Sequence, residues 1–298
     1  MTYTQEKPQI IATSCICCGN SGLRTSPAIL MPFVAHRAFG WRPVTIDASW
    51  DLQTVPFGQA YSVCNSLLCT QCGLLFLDIR FDDAAMSRLY ANYRSEQYTD
   101  LRESYEPGYR ARNVDLEKGV TYLPVIEAFL RPLLPERSLH ILDWGGDTGI
   151  NTPFKGQGHC IDIYDISNVA PQRGFSRVSH KEACNGIYDL IVCSNVLEHA
   201  PDPVALLIQI RRLMHHETIL YIEVPHEPHM RGHTSGEAQL RTKRHWHEHI
   251  NFFTANALRA LVARVSMELV SYEDKEMLDG GTPGQFFVMA CRSIGNPL

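Results

Sequence analysis

Ten cysteines occur in the 298 residues, and six of them fall before residue 73. Four form two Cys-x-x-Cys-Gly turns: Cys15 and Cys18 in "CICCG", Cys69 and Cys72 in "CTQCG". Two residues between thiols let a tight turn aim both sulfurs at one point. The glycine that follows lets backbone N–H groups approach the thiolates. Two such turns supply the four sulfurs of a tetrahedral zinc site. Four thiolates close the coordination sphere, so a structural rather than catalytic zinc is expected. Cys17 and Cys64 are left over, and buried reduced thiols are the competing reading of the set.

A second cluster is the glycine turn of "LHILDWGGDTGINTPF", Leu139 to Phe154, where an apolar run ends in Asp143 and bends through Gly145, Gly146 and Gly149. A phosphate loop of the Walker type needs Lys-Ser/Thr at its end, and this turn has none. A dinucleotide fingerprint reads Gly-x-Gly-x-x-Gly and requires no acid inside the strand. Here Asp-x-Gly-Gly-x-x-Gly puts an acid at the strand tip, which suits a ligand carrying an amino group and a sulfonium. The carboxylate stabilises the cationic end while the glycines let backbone lie against the ligand. The next strand, "CIDIYDIS", ends in Asp165, placed to accept hydrogen bonds from both ribose hydroxyls. That feature serves NAD and S-adenosylmethionine equally.

The third cluster is histidine. "EVPHEPHMRGH" and "RHWHEHINFFT" hold six of the thirteen. A positioned imidazole acts as general base, worth about 10²–10⁴-fold in rate. Two other readings stay open: "HINFFT" as a buried lead-in to a helix, or His245, His247 and His249 alternating along a strand to bind a metal.

These groups need elements to hold them. Residues 1–80 are irregular and rich in turn formers. Residues 82–134 read as helices, with Asp82 capping "DDAAMSRLYANYR" and Tyr90, Tyr93, Tyr98 and Arg102 forming a packed stripe or a lid. From 138 onward short apolar strands alternate with helices: "LHILDW", "CIDIYDI", "YDLIVCSN", "ETILYIEV", "MELVSYED" and "GQFFVMACR". Asp202 before Pro203 and Thr254 before "ANALRALVARV" are helix caps. This alternation predicts a parallel, doubly wound α/β sheet. No apolar run approaches the roughly 18–20 residues of a membrane span, and "MTYTQEKPQI" lacks a secretory pattern. A cytoplasmic protein is expected. The formal net charge of -5 argues against a nucleic-acid binder, and the basic run "LRTKRHWH" reads as a solvated loop.

"YDLIVCSNVLEHAPDPVALL", 188–207, resembles the post-strand segment of class I S-adenosylmethionine-dependent methyltransferases, and "ILDWGGDTG" and "DIYDIS" match that family in order and spacing. The resemblance implies a Rossmann-like, doubly wound seven-stranded sheet with one antiparallel edge strand, the last two strands forming that hairpin. The family's usual Gly-x-Gly-x-Gly is here "GGDTG". By position, Asp143, Gly145, Gly146 and Gly149 line the methionine moiety and Asp165 the ribose. Asn195 lies near the methyl-bearing sulfur, and Glu182 is a looser placement for adenine. Glu198 and His199 either act in the site or shape the turn after the strand. "RHWHEHINFFT" resembles the His-Glu-His element of sugar carbon methyltransferases, which also carry a cysteine-bound zinc lobe. It implies catalytic roles for Glu248 and His249, with His249 as base and His247 adjacent. Those enzymes continue into a further C-terminal domain. The sequence here ends after the sheet, so oxygen or nitrogen methylation is expected as readily as carbon.

The expected organisation is a zinc-binding lobe over 1–80, a helical cover over 81–136 and a methyltransferase domain over 137–298. The expected reaction is methyl transfer to a small polar acceptor, first a nucleotide-linked sugar or surface-polysaccharide precursor. The alternatives are an NAD-dependent oxidoreductase and a catalytically inert zinc-lobe adaptor for protein or RNA.

Overall fold

The computed structural model describes residues 11–51, 57–60, 63–167, 169–231 and 235–295. The N-terminal "MTYTQEKPQI" and His233 lie outside the described residues. The chain starts with strand β1 (Leu23–Leu30), helix α1 (Pro32–Phe39), the ribbon strands β2 (Val44–Ile46) and β3 (Gly58–Ala60), then β4 (Val63–Cys69) and β5 (Leu75–Leu77). Helices α2 (Asp83–Tyr90), α3 (Glu96–Tyr105), α4 (Tyr109–Leu116) and α5 (Leu123–Leu130) follow. Their starts are set locally. The Asp82 carboxylate accepts from the Ala85 N–H at 2.7 Å, and the Ser95 hydroxyl accepts from the Tyr98 N–H at 3.2 Å, satisfying donors that a helix leaves orphaned.

The second half runs β6 (His140–Trp144), β7 (Cys160–Tyr164), β8 (Ser176–Arg177), α6 (His180–Ala183), β9 (Leu190–Ser194), α7 (Pro203–Arg211) and β10 (Ile219–Pro225). It continues with α8 (Pro228–Arg231), α9 (Gly236–Thr242), β11 (His245–Trp246), β12 (Asn251–Phe252), α10 (Ala255–Arg264), β13 (Met267–Asp279) and β14 (Thr282–Ser293). Seven of these strands make a mixed sheet in the order β13-β14-β10-β9-β6-β7-β8. The five from β8 to β10 are parallel. All six expected strands form; β8, two residues long, has no readable period. The antiparallel strand is not at the edge as expected. The β13–β14 hairpin turns through Gly280 and Gly281, both at positive φ, and its second strand β14 docks on β10, leaving β13 outermost.

Both faces of the sheet are covered, which is why its strands read as near-continuous apolar runs. Ile141, Ile163, Leu190, Val192 and Val288 pack under α5 through Ile126, Phe129 and Leu130. On the other face Leu142, Ile191, Cys193, Leu220 and Ile222 meet Leu207 and Ile210 of α7 and Leu258 and Leu261 of α10.

A five-stranded sheet has the order β11-β1-β4-β5-β12. β11 pairs Trp246 with Leu30 at one edge, and β12 pairs Asn251 with Phe76 at the other. In a flat sheet four inter-strand steps would separate those edges by about 19 Å. Five residues reach at most about 17–18 Å. The sheet therefore curls, and residues 247–250 bridge its two edges. Two strands from beyond residue 137 thus complete the sheet built by residues 23–77.

Candidate active site

The strand order reverses between β6 and β9, and in open α/β sheets the crevice beyond such a switch point is where ligands bind. The glycine turn caps β6 there. Gly145 has φ +84, and an added Cβ would stand 2.6 Å from Val196 Cγ2. Gly149 has φ +79, and its added Cβ would stand 2.7 Å from the Phe175 ring. At Gly146 a Cβ would meet the Asp143 carboxyl carbon at 2.6 Å. The Asp143 carboxyl thus lies beneath the turn, accepting from the Thr152 hydroxyl at 2.5 Å, and burial pushes it up to about 7. Asp165, after β7, accepts from the backbone N–H of Asp147 at 3.0 Å and of Ser167 at 2.6 Å. Asp143, the three glycines and Asp165 are therefore one connected unit.

Two residues of this unit escaped the sequence reading. Asp147 holds φ 51 within the turn, and Arg94, between α2 and α3, pairs with its carboxylate at 3.1 Å. Desolvation pushes the Asp147 carboxyl up, with Arg94 opposing. Beside them is a cavity of about 520 Å³, lined by Asn92, Tyr93, Arg94, Thr148, Val169 and Gln172 among others. That is within the size range of small-molecule sites.

Asn195 leaves the tip of β9 with φ 54, a conformation asparagine tolerates better than most residues. Its amide donates to Glu223 Oε1 at 2.9 Å. Glu223, buried at the end of β10, also accepts from Tyr122, Ser194 and Tyr221 at 3.0, 2.9 and 2.6 Å. Desolvation raises its pKa against those donors. An acid inside the apolar "LYIEVP" was the signal for it. Glu182 is differently engaged: exposed, it accepts from the Ser179 N–H at 2.7 Å in the capping box of α6. Among the described residues no hydrogen bond links it to the glycine turn or Asp165.

The loop after β9 is clamped to the five-stranded sheet. The Glu198 carbonyl accepts from Ile250 and Asn251 N–H at 2.8 and 3.0 Å. The Asn251 amide donates to the Leu197 and Ala200 carbonyls at 2.8 and 2.7 Å. Buried Arg80 donates to Pro201 O, Ala200 O and Asn251 Oδ1 at 2.9, 2.9 and 2.7 Å.

This clamp sets the His-Glu-His segment against the β9 tip. The His249 ring stands edge-on to His199, centroids 4.6 Å apart, and its Nδ1 lies 2.6 Å from Glu227 Oε1. Burial pulls the His249 pKa down, but Glu227 and Glu198 outweigh it and the net shift is upward. His199 Nδ1 lies 3.1 Å from both the Tyr90 hydroxyl and the Glu248 carbonyl, and burial drives its pKa well below the ordinary value. Glu198 is 1 % exposed, and desolvation pushes it up to about 8. Glu248 faces the Arg102 guanidinium with both oxygens, one contact at 2.9 Å. His247 is partly exposed, 3.5 Å from Glu106. The alternating-histidine metal reading fails among the described residues. The His245 and His247 rings lie 6.0 Å apart, but His249 is not grouped with them; it joins Glu198 and His199 in one of the metal-capable groups. Tyr90, Tyr93 and Tyr98 pack edge to face at 5.7 and 5.3 Å, so the aromatic stripe is a wall of the site.

The two cysteine turns meet as their sequence suggests. The sulfurs of Cys15, Cys18, Cys69 and Cys72 all lie within 4.8 Å of one another, with Cys15–Cys72 and Cys18–Cys69 at 3.5 Å. A zinc–sulfur bond of about 2.3 Å implies tetrahedral edges near 3.8 Å, so the set fits a zinc ion. Gly19 and Gly73 sit at φ +79 and +75 after each turn. Mutual crowding pulls the thiols apart: hydrogen bonds from Cys17 and Cys72 lower Cys15, and Cys15 and burial raise Cys72. Cys17 is buried and raised by desolvation. Cys64 lies in a different core. The cysteine cluster packs in the same core as the seven-stranded sheet. Thr254 of the α10 cap donates to the Cys72 carbonyl at 2.6 Å, and Arg264 to that of Cys17 at 3.2 Å.

A family model described as a methyltransferase domain matches residues 119–272, more than half of the chain. The chain belongs to that family: it is an S-adenosylmethionine-dependent methyltransferase of the class I α/β fold. Similar solved structures include the 1,6-didemethyltoxoflavin-N1-methyltransferase of Burkholderia thailandensis (19 % identity, 76 % of this chain and 97 % of that one, TM-score 0.48). They also include the magnesium protoporphyrin IX methyltransferase of Synechocystis (14 % identity, 68 % and 97 %, TM-score 0.41). No curated protein matches the sequence. No helix among the described residues is long and apolar enough to cross a membrane.

Proposed function

We propose that the chain methylates a small polar acceptor, first a nucleotide-linked sugar or surface-polysaccharide precursor, and that His249 takes the acceptor's proton. The cofactor supplies a methyl group on sulfonium, transferred to the acceptor nucleophile with S-adenosylhomocysteine as product. Gly145, Gly146 and Gly149, with Asp143 beneath them, would hold its methionine end, Asp165 would hold its ribose, and Asn195 would stand near the sulfur. The single observation that supports this reading is the clamp between Glu198 and residues 250–251, which brings the His-Glu-His segment to the same sheet end as Asp143 and Asp165. His249 is suited to a base because Glu227 holds Nδ1, leaving Nε2 for the acceptor. Glu248, locked by Arg102, orients the segment, and His247 stands at its rim. Zinc on Cys15, Cys18, Cys69 and Cys72 closes a structural site with no open position.

Purified protein incubated with cell extract and isotope-labelled methyl donor tests the assignment by mass spectrometry. A labelled sugar nucleotide is the expected product. Label confined to protein or RNA would overturn the acceptor class.

A further inference from the structure

Glu198 is a buried carboxyl that no lysine or arginine pairs with among the described residues; the cationic group acting on it is the His249 imidazole. Both of its oxygens are buried and lack a hydrogen-bond partner among the described residues, and the residue is only 1 % exposed. Neighbouring acids are matched: Glu248 by Arg102, and Glu227 by His249. Leaving a buried carboxylate unpaired is costly, and such groups normally carry a proton or a cation.

What faces Glu198 is a pair of imidazoles. His199 Nε2 lies 4.0 Å from Glu198 Oε1, and the ligand atoms of Glu198, His199 and His249 all fall within 4.8 Å of one another. The outer nitrogens of both rings are already fixed. His249 Nδ1 meets the Glu227 carboxylate at 2.6 Å. His199 Nδ1 lies 3.1 Å from both the Glu248 carbonyl and the Tyr90 hydroxyl; in the tautomer that donates to the carbonyl, Nε2 carries the lone pair. A carboxylate or carbonyl orienting the outer nitrogen is the arrangement that supports metal-ligating histidines.

We propose that Glu198, His199 and His249 bind a divalent cation, distinct from the one proposed for the four cysteines. Two imidazoles and one carboxylate suit zinc, manganese or iron(II). Neighbouring donors about 2.1 Å from an ion in tetrahedral or octahedral geometry lie about 3.0–3.4 Å apart, so the cluster closes on binding from the 4.0 Å between His199 Nε2 and Glu198 Oε1. His249 and His199 are partly exposed, with side chains 40 % and 23 % accessible, so the ion keeps coordination positions toward solvent. The role of this ion in turnover rests on the methyltransferase reading: an oxygen-bearing acceptor would bind there and be acidified. His249 Nε2 cannot both hold the ion and accept a proton, so in the ion-bound chain the acidified acceptor releases its proton to solvent, and the His249 base of the proposed function belongs to the ion-free chain.

Protein loaded with one equivalent of zinc, which the four thiolates take first, is titrated with Mn²⁺, following free Mn²⁺ by electron paramagnetic resonance. One Mn²⁺ per chain is expected. Glu198→Gln should abolish it, and Glu227→Gln, which alters only the outer partner of His249, should weaken it about 10–100-fold. No stoichiometric binding, or unchanged binding in Glu198→Gln, overturns the site. S-adenosylhomocysteine titration of the same samples reports on the methyltransferase reading separately: binding of that ligand without Mn²⁺ removes only the cation site.

Discussion

At the scale of residues, the site's carboxylates sit in unequal settings. Asp165 is held by two backbone N–H groups. Asp165→Ala should weaken S-adenosylhomocysteine binding by about 1–3 kcal/mol; isothermal titration showing unchanged affinity would remove it from the cofactor site. Asp143 is pushed up to about 7 by burial, against an ordinary aspartate value near 3.9. Between those values the folded chain binds the proton more tightly than the unfolded chain, so stability falls as pH rises through that window. Asp143→Asn should flatten the fall, measured as denaturant midpoints at pH 5 and pH 8 without cofactor. The same slope in both proteins would show that Asp143 is ordinary. Gly145 admits no side chain: its φ of +84 and the 2.6 Å approach to Val196 predict that Gly145→Ala costs about 2–4 kcal/mol. A melting temperature equal to that of the unaltered chain would contradict the tight turn.

At the scale of elements, the clamp between the β9 loop and β12 carries the positions of Glu198, His199 and His249. Asn251→Ala leaves two carbonyls and Arg80 short of a buried partner, for an expected loss of about 2–4 kcal/mol. Turnover should fall further than cofactor affinity, and an equal fall in both would place Asn251 outside the acceptor side. Much of this level was legible in the sequence. The periodicities of the long strands, the caps at Asp82, Asp202 and Thr254, and the glycine turn are local signals, and the structure has each. The joining of 245–252 to strands 23–77 was not legible. Two-residue strands have no period, and pairing across nearly two hundred residues is fixed by side chains such as Trp246, whose indole N–H reaches the Ser66 hydroxyl at 2.9 Å. Glu223, Glu227 and Arg94 escaped for the same reason: each acts through a distant partner. Glu182 looked eligible by position alone, and its short helix claims it as a cap.

At the scale of the whole molecule, the cysteine turns, the curled sheet and the α/β sheet share packing. The four-cysteine cluster rests on α10, so loss of the proposed zinc should propagate into the seven-stranded sheet. Chelation, or Cys69→Ser, should lower the melting temperature by at least about 5 °C and weaken cofactor binding. An unchanged transition would detach the cluster from the fold's stability. The crevice at the β6–β9 reversal is expected to accommodate a sulfonium nucleoside. Calorimetric titration of the purified chain with S-adenosylhomocysteine, run beside NADH, tests it most directly. Saturable binding of one S-adenosylhomocysteine per chain, with no heat from NADH, is the predicted result. NADH binding with no response to S-adenosylhomocysteine would contradict it.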